Sequence, residues 1–196
     1  MAELSTCIRL IVLSVSVSAQ IPYENNPENF AWQRASDITG VGERLHVKLR
    51  SRLLHEIPVC FALLGVLQHN ANAFSYVVTY LAPGGISRHA TRLVTSRTPY
   101  HPHQNAISFQ LASGSPRMTR FKIMYVDPRR DCMILIKTQS RHRECILFQT
   151  SRTVDGPIPP ECRQVYRDFC NHDSVLIYEP KCKEVFRHAP AHNSVR

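Results

Sequence analysis

Three runs near the middle of the chain decide its fold. They are Met118-Thr119-Arg120-Phe121-Lys122-Ile123-Met124-Tyr125-Val126, Asp131-Cys132-Met133-Ile134-Leu135-Ile136-Lys137-Thr138 and Arg143-Glu144-Cys145-Ile146-Leu147-Phe148-Gln149-Thr150. Each is about eight residues long, rich in β-branched and aromatic residues, and bounded by Pro, Asp, Ser or Arg; such runs read as strands. Within them the apolar residues alternate. Phe121, Ile123 and Tyr125 fall on one face, Met133 and Leu135 on one, Ile146 and Phe148 on one, because successive strand side chains point to opposite sides. Upstream the same spacing recurs at 44–53, 56–68, 72–81, 87–95 and 105–112, with turns at Ala82-Pro83-Gly84-Gly85 and Ser113-Gly114-Ser115-Pro116. Eight short antiparallel strands make an all-β sandwich or an up-and-down barrel.

The period changes at the two ends. Asn26-Pro27 opens a predicted helix over Glu28 to Ser36, which would bring Phe30 and Trp32 near the core. After Pro159-Pro160, the residues Cys162, Val165, Tyr166, Phe169 and Cys170 follow i, i+3, i+4, i+7, i+8, one stripe of a helix. A short strand, Val175 to Tyr178, leads to Cys182, and the chain after Phe186 reads as a polar tail. An eight-stranded barrel with a helix packed outside is the plan of small-ligand carriers.

Met1 to Ala19 reads as a secretory signal: Arg9, the run Leu10 to Val17, and Val17-Ser18-Ala19 before Gln20. The run is too short to span a bilayer, which needs about 20 apolar residues. The expected domains are therefore the signal (1–19), one barrel domain (20–186) and the tail (187–196), in a secreted, extracellular protein. Loss of Cys7 with the signal leaves Cys60, Cys132, Cys145, Cys162, Cys170 and Cys182, an even set that implies three disulfides outside the cell. No pair has the C-x-x-C spacing of a zinc site. Cys162 and Cys170 lie about 12 Å apart along one helix, too far for a bond that needs Cα atoms within about 7 Å. Cys132 and Cys145 are out of register across their hairpin. The helix cysteines would thus bolt the helix to the last two strands, with the individual pairs left open.

The chain has 196 residues, 24 Lys and Arg against 15 Asp and Glu, and a net charge of +9. This excludes collagen, coiled coil and a wholly disordered chain. The charge is uneven: no Asp or Glu occurs from Ile57 to Val126. Enzymatic signals are weak. There is no G-x-S-x-G nucleophile motif, and His101-Pro102-His103 has no nearby acid to complete a metal site. No catalytic residue, metal or cofactor is expected, nor a nucleic-acid or membrane partner.

The ordered set Ala31-Trp32-Gln33, Val47-Lys48, Val59-Cys60-Phe61, Asp131-Cys132-Met133-Ile134-Leu135, Glu144-Cys145-Ile146-Leu147-Phe148, Pro159-Pro160-Glu161-Cys162 and Tyr178 before Cys182 resembles the tick salivary lipocalins of the histamine-binding type. The resemblance covers roughly residues 28 to 182. It implies a lipocalin barrel, the pairs Cys60–Cys182, Cys132–Cys162 and Cys145–Cys170, and a secreted monomer that sequesters a host mediator, above all histamine, to evade host defence.

Matched position by position, however, the acids that such proteins use for an amine are replaced. Ile146, Phe121 and Met133 stand where amine binders have acids, Ala90 falls near another acid, and Ser51 replaces an inward Tyr, while Phe109 and Tyr125 keep family aromatics. The candidate lining is Trp32, Asp37, Ser51, Ala90, Ile107, Phe109, Thr119, Phe121, Ile123, Tyr125, Met133, Leu135, Ile146 and Phe148, with Asp37 the best surviving contact for an amine. Leu111 continues the face of Ile107 and Phe109. Three readings follow: a biogenic amine in a rearranged site; a fatty acid or eicosanoid in an apolar cup, its carboxylate met by Arg88, Arg92, Arg97, Arg120 or Lys122; and a host plasma protein bound through the loops. Surface binding of heparin-like polyanions is a weaker expectation, since the cations are scattered.

Overall fold

The computed structural model describes residues 21–187 apart from 115, 139–141 and 171–172, so the expected signal segment and most of the tail lie outside the described residues. Eight antiparallel strands follow in chain order: β1 (Leu45–Ser51), β2 (Ala62–Asn70), β3 (Ala73–Ala82), β4 (Gly85–Ser96), β5 (Ala106–Phe109), β6 (Thr119–Val126), β7 (Cys132–Lys137) and β8 (Cys145–Thr150). Each pairs with the next from β2 to β8, β8 pairs with β1, and β1 closes the barrel on β2 through Leu45–Leu63 and His46–Ala62. A ninth strand, β9 (Ser174–Leu176), adds to the far half of β1. Closure leaves few exposed sheet edges.

The interior is one apolar cluster drawn from the inward rows of all eight barrel strands. Phe109, Phe121, Ile123, Met133 and Ile146 are fully buried in it. A second cluster lies outside the wall, beneath α2 (Pro160–Phe169), where Cys132–Cys162 and Cys145–Cys170 bind the helix to β7 and β8. A third lies under α3 (Lys181–Arg187), which Cys60–Cys182 ties to the residue entering β2. All three disulfides are those the resemblance implies.

Several boundaries differ from the sequence reading. The N-terminal helix is replaced by two 3-10 turns, Tyr23–Asn25 and Pro27–Trp32, and a five-residue helix, α1 (Ala35–Thr39). Asn26 caps the second turn and Gln33 breaks it with φ −122°, and no apolar stripe is present to pull the segment into a longer helix. Trp32 is accordingly 41% exposed, lying 6.4 Å from the Tyr125 ring at the barrel's outer surface. The second strand starts at Ala62 instead of 56, since Cys60 sits at φ 58°, a left-handed conformation that interrupts a strand. The end near Phe186 is a helix, with Phe186 buried against His46.

Candidate functional site

The interior is best built from its cross-strand rows, because residues directly opposite in an antiparallel pair share a face. On β3 and β4, Phe74 faces Leu93, Tyr76 faces Thr91, Val78 faces His89 and Tyr80 faces Ser87. Phe74, Tyr76, Val78 and Leu93 belong to the interior cluster and Tyr80 packs against it. The whole row therefore points inward, His89 included. Ala90, opposite Val77, is exposed on the outer wall. This corrects the expected lining at Ala90 by one residue, and a shift of one reverses the face.

Bulges explain two further corrections. On β6 the register shifts between Ile123 and Tyr125. Ile123 stays inside, while Met124 and Tyr125 both join the outer cluster beneath α2. On β1 the register shifts between Val47 and Leu49. Ser51 then faces out, where its Oγ accepts the Cys145 N–H at 2.8 Å, and Arg50 takes the inward place, opposite Ile146 and Val175. Asp37 lies on α1 at the base of the barrel and accepts a hydrogen bond from Arg130 Nη2 at 3.0 Å; its carboxylate is held by that pair. The structure brings Ile107, Phe109, Phe121, Ile123, Met133, Leu135, Ile146 and Phe148 together inside. Phe109 and Phe121 are stacked at 5.6 Å, and Thr119, opposite Phe109, is half-buried near the mouth. Leu111 is buried in the same cluster.

The mouth is the end where the β1–β2, β3–β4, β5–β6 and β7–β8 connections gather. There the 52–61 segment places Leu54 and Ile57, both fully buried, into the interior cluster, and Val175 and Ile177 join from the β9 side. Lys137, opposite Phe121 and so inward, bridges Glu56 of that segment at 3.1 Å and Glu144 at 3.3 Å. The hydrogen bond and charge of Lys137 outweigh partial burial and hold the Glu56 carboxyl below its ordinary value.

Below the mouth the barrel is closed by only two β1–β2 residue pairs. Past them β2 parts from the chain leading into β1. A cleft of about 500 Å³ opens there, edged by Thr39, Gly40, Val41 and Gly42 on one side and Gly65 to Gln68 on the other. Phe74 and Tyr76 of the inward row form its floor. Gly65 is what lets the Tyr76 ring lie across β2, since a Cβ there would come within 3.3 Å of the ring.

Electrostatically the interior is neutral on the side of β3 and β4. Tyr76 Oη is buried with no hydrogen-bond partner, and burial pushes its pKa up to about 12, so it stays protonated. Neither ring nitrogen of His89 makes an aligned hydrogen bond. Burial lowers its pKa, with the nearby Gln110 backbone opposing, and this favours the neutral ring. Arg50 donates from Nη1 to the carbonyls of Ser51 at 3.2 Å and Arg52 at 3.0 Å, leaving Nε buried without an acceptor. None of the nine strands contains Asp or Glu.

The cations read as candidates for the mouth lie elsewhere. Arg88 and Arg92 lie in the outward row with Ala90 between them, and Arg97 is exposed on the base loop. Arg120 donates to Ser96 Oγ and Lys122 to Asn25 Oδ1, both on the outer surface. The inward polar residues Tyr76, Tyr80, His89, Thr91, Arg50 and Lys137 were missed. For the first four the signal was present in the alternation Phe74-Tyr76-Val78-Tyr80 and in Leu93-Thr91-His89. For Arg50 there was none, since a bulge sets its direction. Among the described residues no group of three or more His, Cys, Asp or Glu is placed to hold a metal; the His101 ring packs at a tilt against Phe30, centroids 4.1 Å apart, with Nδ1 2.8 Å from the His103 carbonyl oxygen.

Similar folds occur in Japanin from Rhipicephalus appendiculatus bound to cholesterol (TM-score 0.53, 18% identity, 72% of this chain and 96% of that one) and in the AM182 serotonin complex (TM-score 0.57, 9% identity, 77% and 92%). Lobster apocrustacyanin A1 is also similar (TM-score 0.52, 12% identity, 78% and 84%). Comparison with curated protein sequences finds no match. The sequence profile of the tick histamine-binding protein matches residues 67–184, more than half of the chain, and the chain therefore belongs to that family of non-enzymatic, ligand-binding lipocalins.

Proposed function

We propose that this protein is secreted and sequesters a small, mainly apolar host mediator ending in a hydroxyl or a carboxylate, such as a sterol, fatty acid or eicosanoid. The observation that carries this reading is the lack of any Asp or Glu on the nine strands. A buried ammonium needs a carboxylate beside it, because an unpaired buried charge is very costly. The acids at the mouth, Glu56 and Glu144, are both engaged by Lys137. What the interior offers instead is an apolar wall with Tyr76 as a neutral donor, His89 as a neutral donor and acceptor, and Arg50 as a cation with Nε unpartnered. A hydroxyl suits the first two and a carboxylate the third. Apolar walls with a few placed polar groups are the usual make-up of small-ligand sites. In this reading Phe109, Phe121, Met133, Ile146 and their neighbours are wall, and the cleft at Gly40–Gly42 and Gly65 is the way in.

Two structural neighbours, one bound to cholesterol and one in complex with serotonin, mark the two chemistries to separate. Calorimetry on the oxidised protein should show cholesterol or arachidonate binding at about micromolar or tighter, and histamine and serotonin at least about 100-fold weaker. Tighter binding of either amine than of both lipids would overturn the reading. Secretion rests on the Met1–Ala19 pattern and the three disulfides. Amino-terminal sequencing of protein from the medium of expressing cells should begin at Gln20.

A further inference from the structure

On the outside of the barrel, three leucines form one row across adjacent strands: Leu176 on β9, Leu49 on β1 and Leu147 on β8, in direct register. Helix α2 covers Leu147, which is fully buried, together with the next outward residues Ile134 and Tyr125, and leaves the Leu49–Leu176 end of the row open. Leu49 is half-buried and Leu176 is 61% exposed. The gap between helix and wall is a groove of about 610 Å³ lined by Leu49, Leu147, Ile158, Arg163, Tyr166, Arg167 and Ser174. Its floor is apolar. Its rim is basic, because Arg163 and Arg167, four residues apart, sit one turn above the other on the helix.

The two arginines differ in what holds them. Arg167 is paired with its neighbour Asp168 at 2.9 Å. Arg163 donates only to the Ile158 carbonyl, at 3.2 Å, and no carboxylate among the described residues lies within ion-pair distance of it. The groove thus presents an apolar slot ending at a guanidinium without an anionic partner. We propose that it is a second ligand site, separate from the barrel interior, for a single-chain amphiphile with an anionic head: the chain along Leu49 toward Leu176, the head on Arg163. Charge complementarity selects the anion, and a guanidinium forks onto a carboxylate or phosphate through two parallel N–H donors.

Laurate is the probe, with dodecanol as its uncharged counterpart and dodecyl phosphate as the alternative head. Titration calorimetry should find a laurate-binding equivalent that is weakened about tenfold or more by Arg163→Glu and by Leu176→Asp, the scale of losing a charge-assisted contact. Dodecanol should bind there at least about tenfold less well than laurate. Both variants alter exposed side chains, and unchanged near-ultraviolet circular dichroism checks their fold. Gly65→Leu, which fills the cleft into the barrel, should leave this equivalent intact. Laurate binding that is lost in Gly65→Leu and kept in Arg163→Glu would overturn the outer site while leaving the interior one standing. Equal binding of laurate and dodecanol would overturn the anionic head. A dimer in sedimentation that Leu176→Asp dissociates, with no laurate effect, would assign the groove to a second copy of the chain and overturn the proposal.

Discussion

Tyr76 and His89 show how burial alone sets the chemistry of single side chains. Each sits in an apolar row that withdraws the charged form, so one remains a phenol and the other favours the neutral imidazole. If Tyr76 holds a ligand hydroxyl or carboxylate, Tyr76→Phe should weaken that ligand by about 1 kcal/mol, roughly fivefold. Binding of a hydrocarbon of the same length should not change; paired titrations check both. His46, on the outer face of β1, provides a pH marker for folding. It packs between Tyr178 and Phe186, and burial, followed by the charges of Arg44 and Lys183, pulls its pKa from 6.5 to about 4 against the pull of Asp155. In the unfolded chain the ring takes up its proton near 6.5; in the folded chain only near 4. The stability from the neutral ring is therefore complete above the first value and lost as pH falls toward the second. Thermal midpoints should fall through this window, and the fall should be shallower in His46→Gln than in the native protein. Single residues also show the limits of carrying positions over from a family pattern. Ala90, Ser51 and Tyr125 each lie on the face opposite the expected one, because parity is absolute in a strand and a bulge resets it.

At the scale of elements, the connection between β1 and β2 is the most consequential. It is long, it inserts Leu54 and Ile57 into the interior, and Glu56 on Lys137 latches it to the β6–β7–β8 side. Both partners are partly exposed, so the latch is weak in free energy but directs the loop. Lys137→Met should speed amide hydrogen exchange in 53–61 relative to the rest of the barrel, and high salt should do the same in the native protein. Unchanged exchange in both cases would show that the two buried apolar side chains hold the loop unaided. The peeled half of β2 is the complementary feature. Val66 and Leu67 are 59% and 58% exposed beside the cleft, which fits a strand that β1 pairs over only two positions. Gly65→Leu should reduce ligand uptake without unfolding the barrel, measured by association rate against thermal midpoint.

For the whole molecule, the three disulfides divide the labour unequally. Cys60–Cys182 closes a separation of 122 residues, against 30 for Cys132–Cys162 and 25 for Cys145–Cys170. In the chain-entropy account a longer loop restrains the unfolded state more, so removing the first pair should cost roughly 1–1.5 kcal/mol more than removing the last. Denaturant titration of the paired Cys→Ala variants checks this. The sequence by itself determined the eight antiparallel strands, the outer helix and its bolting by cysteines, because these depend on period-2 and period-3.6 patterns and on short turns that are local in the chain; the choice of barrel over sandwich came from the family resemblance. It also determined the deficit of acid, since composition needs no coordinates: Ile57 to Val126 spans β2 to β6, and the remaining strands share the lack. Only the tertiary structure decided which side chains face inward beyond a bulge. Arg50 instead of Ser51, and the burial of Tyr125 outside the wall, depend on register across strands distant in sequence. A register is set by pairing and bulges between two strands at once, and neither strand carries that information alone.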